Sequence, residues 1–355
     1  MIYILLALSI IPVAYTLLPL LNVKHWVVRG FDYPKLQFCM CNIVLIIGWI
    51  FYIVLSDTHQ YNEFGYAIIG FLVISLLYLF SDIYPYLPIA SKITETSHLD
   101  VDTRNDNTVS LLIANVLTPN NNHNGLLSLI SDNAPDIILT LESDKAWQEA
   151  LQVLETDYSY TVYKPLDNLY GMHLYSKLAL TNTEIRCIIE DNIPSIHSTV
   201  TLKNNQKLDL HCIHPAPPSP TENTCSAERD AELLVVAKEV VDKKNTAIVT
   251  GDLNDVAWSK TTKLFKKISG LQDPRLGRGF FNTYNAKHTF LRWPLDHLFH
   301  TPDFKCVDIK RLSYFGSDHF PIFITLEHIK NSDKKMKTHN SQKEKEDIQE
   351  SIDSV

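Results

Sequence analysis

Val109-Ser-Leu-Leu-Ile-Ala-Asn-Val116 and Asp136-Ile-Ile-Leu-Thr-Leu-Glu142 are short apolar runs flanked by Asn, Pro and Asp, each with one polar side chain, Asn115 or Glu142, at its carboxyl end. Their length and flanks predict buried strands. Ligands of layered α/β folds gather beyond the carboxyl ends of strands, so Asn115 and Glu142 stand where a site belongs. Further strands are expected at 158–163, 171–176, 196–202, 207–213, 246–250, 296–300, 304–311 and 320–327. Apolar residues recur at helical spacing over 144–155, 226–244 and 256–269; in the second, Leu233, Val236, Ala237, Val240 and Val241 make one face. Many strands with few helices predict two packed sheets with helices outside, not a doubly wound parallel sheet.

Two motifs downstream suit the same edge: Gly251-Asp252-Leu253-Asn254 and Ser317-Asp318-His319. With Asn115, Glu142 and His214 they form an inventory for breaking phosphate esters. A Mg²⁺-like ion takes hard oxygen ligands and is usually held by one or two carboxylates plus the substrate phosphate. Glu142 and Asp318 supply those. Proton transfer near neutral pH suits histidine, and His319 adjoins Asp318. Taken singly the motifs are weak. The first could be a plain turn; Val256 and Ala257 stand where a calcium loop wants an oxygen ligand and a glycine. His214-Pro-Ala-Pro-Pro218 also reads as a rigid polyproline segment.

In chain order the pieces are Ala-Asn115-Val, Leu-Glu142-Ser, Tyr170-Gly-Met-His-Leu-Tyr-Ser176, His211-Cys-Ile-His214-Pro, Gly251-Asp252-Leu-Asn254, Pro294-Leu-Asp296-His and Gly316-Ser-Asp318-His319-Phe-Pro321. This order resembles the endonuclease/exonuclease/phosphatase superfamily, the DNase I-like phosphoesterases, over roughly 108–327. The resemblance implies a four-layer α/β/β/α sandwich and a Mg²⁺ (or Mn²⁺) dependent phosphoric ester hydrolase. Glu142 would be the main metal ligand, assisted by Asn115 and Asp318. Asp252 would align or deprotonate the attacking water, and Asn254 would bond that water or a phosphate oxygen. His319 would be the general acid/base, oriented by Asp296, and His214 would stabilise transition-state charge. Arg292 is a further candidate phosphate contact, because an Arg fork suits phosphate oxygens; it reads equally well as a surface charge. Arg229, His173, Asp144 and His297 beside the motifs are expected to be structural.

Outside this region the chain changes character. Ile2–Leu21, Phe38–Leu55 and Tyr66–Ile83 are apolar runs approaching the roughly 20 residues that cross a bilayer core. They predict three transmembrane helices in a cell-membrane protein. The first could alternatively be a signal peptide, but it lacks a basic start and two more runs follow. The expected organisation is a membrane region 1–90, a polar linker 91–107, a catalytic domain 108–329 and a disordered polar tail 330–355. The membrane-anchored bacterial branch of the superfamily is similar in this layout.

Lys24, Arg29 and Lys35 lie between the first two runs, whereas Asp57 and Glu63 lie between the second and third. By the positive-inside rule the first loop and the domain are cytoplasmic. Segment 24–35 equally suits an interfacial stretch anchoring to headgroups on either face. The six cysteines show neither C-x-x-C spacing nor a disulfide-dense frame, and read as reduced.

Of the net charge of −8, residues 1–90 hold three basic and four acidic side chains and 330–355 six of each, leaving the acidity in 91–329. That disfavours a phosphate-tracking surface for duplex DNA. The expected partners are therefore the lipid bilayer and a lipid-linked or small phosphate ester, with a membrane-tethered nuclease acting on nucleic acid as the alternative. The loops Ser219–Arg229 and Phe280–Arg292 are expected to shape substrate choice.

Overall fold

The computed structural model describes residues 2–21, 23–55, 62–101 and 103–329, together with position 352. Asp57 and, apart from 352, the polar tail lie outside the described residues.

Residues 108–328 are built on two mixed sheets. The first is six-stranded, in the order β10-β11-β1-β2-β4-β3; the second is five-stranded, β5-β6-β7-β8-β9. Their strands are β1 (Thr108–Asn115), β2 (Ile137–Leu141), β3 (Tyr160–Lys164), β4 (Met172–Ser176), β5 (Ala179–Cys187), β6 (Pro194–Thr201), β7 (Lys207–Cys212), β8 (Ala247–Asp252), β9 (Asp296–His300), β10 (Phe304–Arg311) and β11 (Ile322–His328). Val109, Leu111 and Ile113 alternate inward from the first sheet, meeting Ile196, Leu208, Leu210 and Ile248 from the second in a dry core. The opposite face of the first sheet, through Leu112, Ala114 and Ile138, packs on Leu126, Ile130 and Trp147. These come from α5 (His123–Asn133) and α6 (Lys145–Ala150). Val249 and Phe299 of the second sheet pack on Leu233, Val236, Ala237 and Phe265 of α7 (Ala227–Lys243) and α8 (Lys260–Ser269). The result is the expected helix, sheet, sheet, helix stack.

The N-terminal third forms α1 (Ile2–Leu17), the short α2 (Trp26–Gly30), α3 (Lys35–Leu55) and α4 (Asn62–Ile83). With their single-turn extensions, three helices here are long and apolar enough to cross a membrane: Ile2–Leu21, Lys35–Leu55 and Asn62–Tyr86. Polar side chains stitch them together, as in many membrane bundles. Thr16 and Ser75 hydroxyls lie 2.7 Å apart, Asn42 Nδ2 donates to Ser75 Oγ at 3.2 Å, and Trp49 Nε1 donates to Ser9 Oγ at 3.0 Å.

The structure departs from the sequence expectations where polar segments gain partners. Linker residues 91–107 do not hang free: Thr94 is buried with Oγ1 2.9 Å from His300 Nε2, and the Cys306 N–H donates to the Glu95 carbonyl at 2.9 Å. The helix expected at 256–269 begins only at Lys260, where Ser259 Oγ caps the Thr262 N–H. Val256, Ala257 and Trp258 instead enter a cluster with Tyr15, Cys39, Leu79, Ile83 and Tyr86 of the N-terminal bundle. Bundle and sandwich therefore share a core. The helix expected over 144–155 divides into α6 and a 3₁₀ stretch, Gln152–Thr156. The exposed edge strand β5 and the Asn-capped α5 have no clear apolar period and were not expected.

Candidate active site

Each sheet has one parallel strand pair at its heart, β1 with β2 and β7 with β8. Parallel strands end on the same side, so Asn115 at the end of β1, Glu142 just past β2, His214 just past β7 and Asp252 at the end of β8 meet at one rim. Antiparallel partners begin where these strands end. Asp296, the first residue of β9, pairs in register with Asp252, and Ser317–His319 precede β11, whose Ile322 pairs with Ile113. Gly251 makes the approach of β7 and β8 possible: at φ 141° a Cβ there would lie 1.9 Å from the Ile213 carbonyl oxygen.

His319 is the centre of the hydrogen-bond network. Its Nδ1 lies 2.7 Å from Asp296 Oδ2 and its Nε2 3.4 Å from Asp252 Oδ2. Burial would lower the pKa of this ring, but the two carboxylates outweigh it and raise the ring to about 10, which makes it an imidazolium in the structure as it stands. Burial likewise pushes the Asp252 carboxyl up, yet the facing His319 and His214 rings and the Asn254 N–H hold it below its ordinary value. Asp296 is raised by burial, and its Oδ1 is buried without a partner.

Asn115 Nδ2 donates to Glu142 Oε1 at 2.7 Å and to Asp252 Oδ2 at 3.2 Å, while its Oδ1 accepts the Leu117 N–H at 3.1 Å. It thus touches Glu142 through its nitrogen, while its oxygen, with one backbone N–H already on it, keeps a second lone pair. Ser317 Oγ fixes Asn115 by donating to its carbonyl at 2.8 Å. Glu142 Oε2 is shielded and unpartnered, and burial raises the carboxyl to about 7. Glu142 and Asp318 both line the same cleft. An unpartnered carboxylate oxygen beside a second carboxylate, with no thiolate among the lining side chains, fits a hard divalent cation. Asp252, Asp296 and His319 also lie close enough to share an ion, but both ring nitrogens already face those carboxylates at hydrogen-bonding or ion-pair distance. Such an arrangement can hold a proton and pass it on.

His214 is buried with Nδ1 unpartnered, and desolvation lowers it to about 4, so it is neutral. Its ring lies 5.3 Å from that of Tyr170. Asn254 adopts a left-handed conformation (φ 49°) and its Nδ2 donates to the Pro215 carbonyl at 3.0 Å. All eight side chains expected at the site therefore converge. Arg292 does not join them: it lies over the Phe320 ring and donates to the Ala286 carbonyl at 3.1 Å. Arg229, His173, Asp144 and His297 are structural, as expected. Arg229 is buried and donates to the Asn254 carbonyl at 2.8 Å, Asp144 caps α6, His173 lies 3.4 Å from Thr140 Oγ1, and His297 meets Arg275 at 2.6 Å.

The cleft, about 530 Å³, has an unexpected wall. Trp26, Arg29, Tyr33 and Pro34, from the segment joining α1 to α3, line it together with Pro217, Pro218, Tyr284, Leu291 and Trp293, and the Tyr33 and Trp293 rings meet edge to face at 5.6 Å. This segment is tied to the sandwich along its length. The Trp26 N–H donates to the Thr224 carbonyl (3.0 Å), Tyr33 OH to the Asn254 carbonyl (3.0 Å) and Trp258 Nε1 to the Asp32 carbonyl (2.7 Å). In the sequence only the cluster of aromatic and basic residues at 24–35 hinted at it. The two loops expected to shape substrate choice do border the cleft, through Ser219 and through Tyr284 and Leu291.

A model of the Endonuclease/Exonuclease/phosphatase family matches residues 112–319. No curated protein matches the sequence. Among solved structures, the chain is similar to a humanized D. rerio TDP2 carrying 14 mutations (TM-score 0.54, 19% identity, covering 62% of this chain and 99% of that one). It is also similar to an endonuclease/exonuclease/phosphatase family protein from Bacteroides thetaiotaomicron (TM-score 0.51, 14% identity, 66% of this chain and 98% of that one). The catalytic domain of human Nocturnin is a third (TM-score 0.51, 16% identity, 62% and 93%). At these identities the likeness is one of fold.

Proposed function

The chain belongs to the endonuclease/exonuclease/phosphatase family, and from that premise we propose that it is a membrane-anchored, Mg²⁺-dependent phosphoesterase acting on a lipid-linked or small phosphate ester. The observation that carries this reading is the cleft wall made by residues 26–34. That segment joins two helices of membrane-crossing length, so the catalytic rim opens at the level of the headgroups. The acidity of 91–329 supports the same choice, since a nuclease gains affinity from a Lys/Arg-rich face.

Glu142 would be the main ligand of the cation, assisted by Asn115 and Asp318. When bound, the cation supplies Lewis-acid polarisation of a phosphoryl oxygen. Asp252, held ionised by its neighbours, orients the attacking water and draws on its proton. His319, protonated between Asp252 and Asp296, donates a proton to the departing oxygen, and Asp296 fixes the ring by its bond to Nδ1. The neutral His214 donates one N–H to the phosphate, where charge grows in the transition state. The aromatic side chains across the cleft exclude water and hold the alcohol portion of the ester.

The test uses the full chain in lipid nanodiscs, comparing phosphate release from lipid phosphates and diphosphates with nicking of plasmid DNA, with Mg²⁺ and with excess EDTA. Release from the lipids that stops in EDTA is expected. Nicking with the lipids untouched would install the nuclease in its place.

A further inference from the structure

Tyr33 lines the catalytic cleft, and its hydroxyl donates to the Asn254 carbonyl at 3.0 Å. That carbonyl has a second donor, Arg229 Nη1 at 2.8 Å. Asn254 follows Asp252 by two residues and holds a left-handed conformation, φ 49°. For a residue with a Cβ this conformation is less favourable than the right-handed one and persists where the surrounding structure over-determines it.

The turn is fixed at its backbone and at its side chain. The Asn254 N–H donates to Asp252 Oδ1 at 2.9 Å, its Nδ2 donates to the Pro215 carbonyl at 3.0 Å, and its own carbonyl takes the two donors above. Pro215 follows His214, so this one residue joins the end of β8 to the loop after β7. Its N–H also holds one oxygen of Asp252, while the other oxygen meets Asn115 Nδ2 at 3.2 Å and His319 Nε2 at 3.4 Å. A shift of the Asn254 backbone therefore loosens one side of the Asp252 carboxylate.

Both donors to the Asn254 carbonyl lead back to the segment between α1 and α3. Tyr33 belongs to it. Arg229 is gripped by Asp230 Oδ1, through Nε at 3.1 Å and Nη2 at 2.8 Å, and Asp230 Oδ2 takes Arg29 of the segment at 3.5 Å. The segment is seated at the start of α7, where the Ser226 N–H donates to the Lys24 carbonyl at 2.9 Å. The Tyr33 ring is held edge-on by Trp293, Trp293 stacks with Tyr284 at 6.4 Å, and Tyr284 lies 5.0 Å from the His319 ring. The hydroxyl thus meets Asn254 from a fixed place.

We propose that Tyr33 is a positioning residue for the catalytic machinery: it fixes the Asn254 turn, and through that turn the Asp252 carboxylate, so that the segment between the first two long apolar helices completes the active site. The inference rests on the roles given to Asp252 and Asn254 in the proposed function. Tyr33 acts through Asn254, not on the reacting atoms.

The test uses the full chain in lipid nanodiscs with Mg²⁺, on a lipid phosphate, a lipid diphosphate and plasmid DNA. Tyr33→Phe removes the hydroxyl and keeps the ring. On whichever substrate the parent hydrolyses, kcat should fall by roughly tenfold, within the 10²-fold that a misplacement of about 1 Å can cost, with KM unchanged. Tyr86→Phe is the control, because Tyr86 OH makes the same kind of bond to the sandwich, to the Ala257 carbonyl at 2.6 Å. It should lower the thermal midpoint at least as much and leave kcat as it was. Hydrogen exchange, read by mass spectrometry without substrate, should quicken several-fold at the 252–254 amides in Tyr33→Phe and not in Tyr86→Phe. Unchanged exchange there overturns the proposal, as does an unchanged kcat or an equal loss of kcat in the two variants. A raised KM with kcat intact also overturns it and would make Tyr33 a substrate contact only. A parent chain inactive on all three substrates would sink the proposed function instead, and exchange at 252–254 would still decide for or against the positioning.

Discussion

His319 is held between two carboxylates, and that sandwiching sets what each substitution does. His319→Ala should lower turnover by roughly 10²- to 10⁴-fold, the usual contribution of proton transfer, with cation affinity retained because Glu142 and Asp318 are untouched. Asp296→Asn should cost less, since the ring keeps Asp252 on its other nitrogen. Single-turnover assays with Mg²⁺ titrations check both, and a fully active His319→Ala would remove the histidine from the mechanism. These residues were legible in the sequence because each sits in a short motif at a strand end. The bond by which Ser317, just before the neighbouring strand β11, pins the Asn115 carbonyl was not, since a serine beside an aspartate carries no such signal until β11 is paired with β1. The Asn115 bonds to Glu142, Asp252 and Leu117 were not legible either, because amide orientation depends on all three partners together.

Among the elements, α7 carries an acid in an apolar setting. Glu232 is buried, its Oε1 has no partner, and burial reinforced by Glu190 raises it to about 8. An unfolded chain would ionise this group near 4.5, so the folded state favours its proton between the two values. Its contribution is fully present below the unfolded value and is lost as pH rises toward 8. Glu232→Gln should therefore leave the thermal midpoint at pH 5 little changed and raise it relative to the parent at pH 9. A midpoint difference independent of pH would contradict the assignment. The loop 285–292 makes a separate forecast. Phe290 is 84% exposed and its carbonyl accepts from Gln37 Nε2 at 2.7 Å, at the start of α3. An exposed aromatic tied to the end of such a helix belongs at the bilayer interface. Phe290→Asp with Leu291→Asp should slow hydrolysis of vesicle-borne lipid phosphate by several-fold while sparing a water-soluble ester, as parallel assays would show. Periodicity revealed most of the strands and α7, where one face is apolar. It missed β5, which is exposed along most of its length, and misjudged the start of α8. Val256–Trp258 look like a helical turn, but a hydrophobic partner from outside the sandwich captures them.

For the whole molecule, the boundary expected at 90 is not a seam. Val256, Ala257, Trp258, Leu276 and Leu295 are buried against Tyr15, Cys39, Leu79, Ile83 and Tyr86, and each large side chain uncovered forfeits roughly 1.5–3 kcal/mol. Residues 108–329 expressed alone should aggregate or melt well below the full chain, read by light scattering and thermal denaturation. A monomeric fragment as stable as the whole would mean that the shared cluster contributes little. The segment joining α1 to α3 packs on the sandwich, so both lie on one side of any bilayer the helices cross. Lys24, Arg29 and Lys35 favour the cytoplasmic side. A C-terminal alkaline phosphatase fusion should be inactive there, and strong activity would reverse the orientation.

The wall that residues 26–34 lend to the cleft also changes the variable that governs rate. In the membrane-anchored enzyme proposed above, a site closed on one side by this segment would be supplied by lateral diffusion within its own leaflet, a search in two dimensions. Turnover of a lipid substrate should then follow its mole fraction among the surrounding lipids, falling when inert lipid dilutes it in the plane even though the total amount in the sample is unchanged. A soluble enzyme of the same family, free to approach from any direction, would be governed by concentration in bulk solution instead.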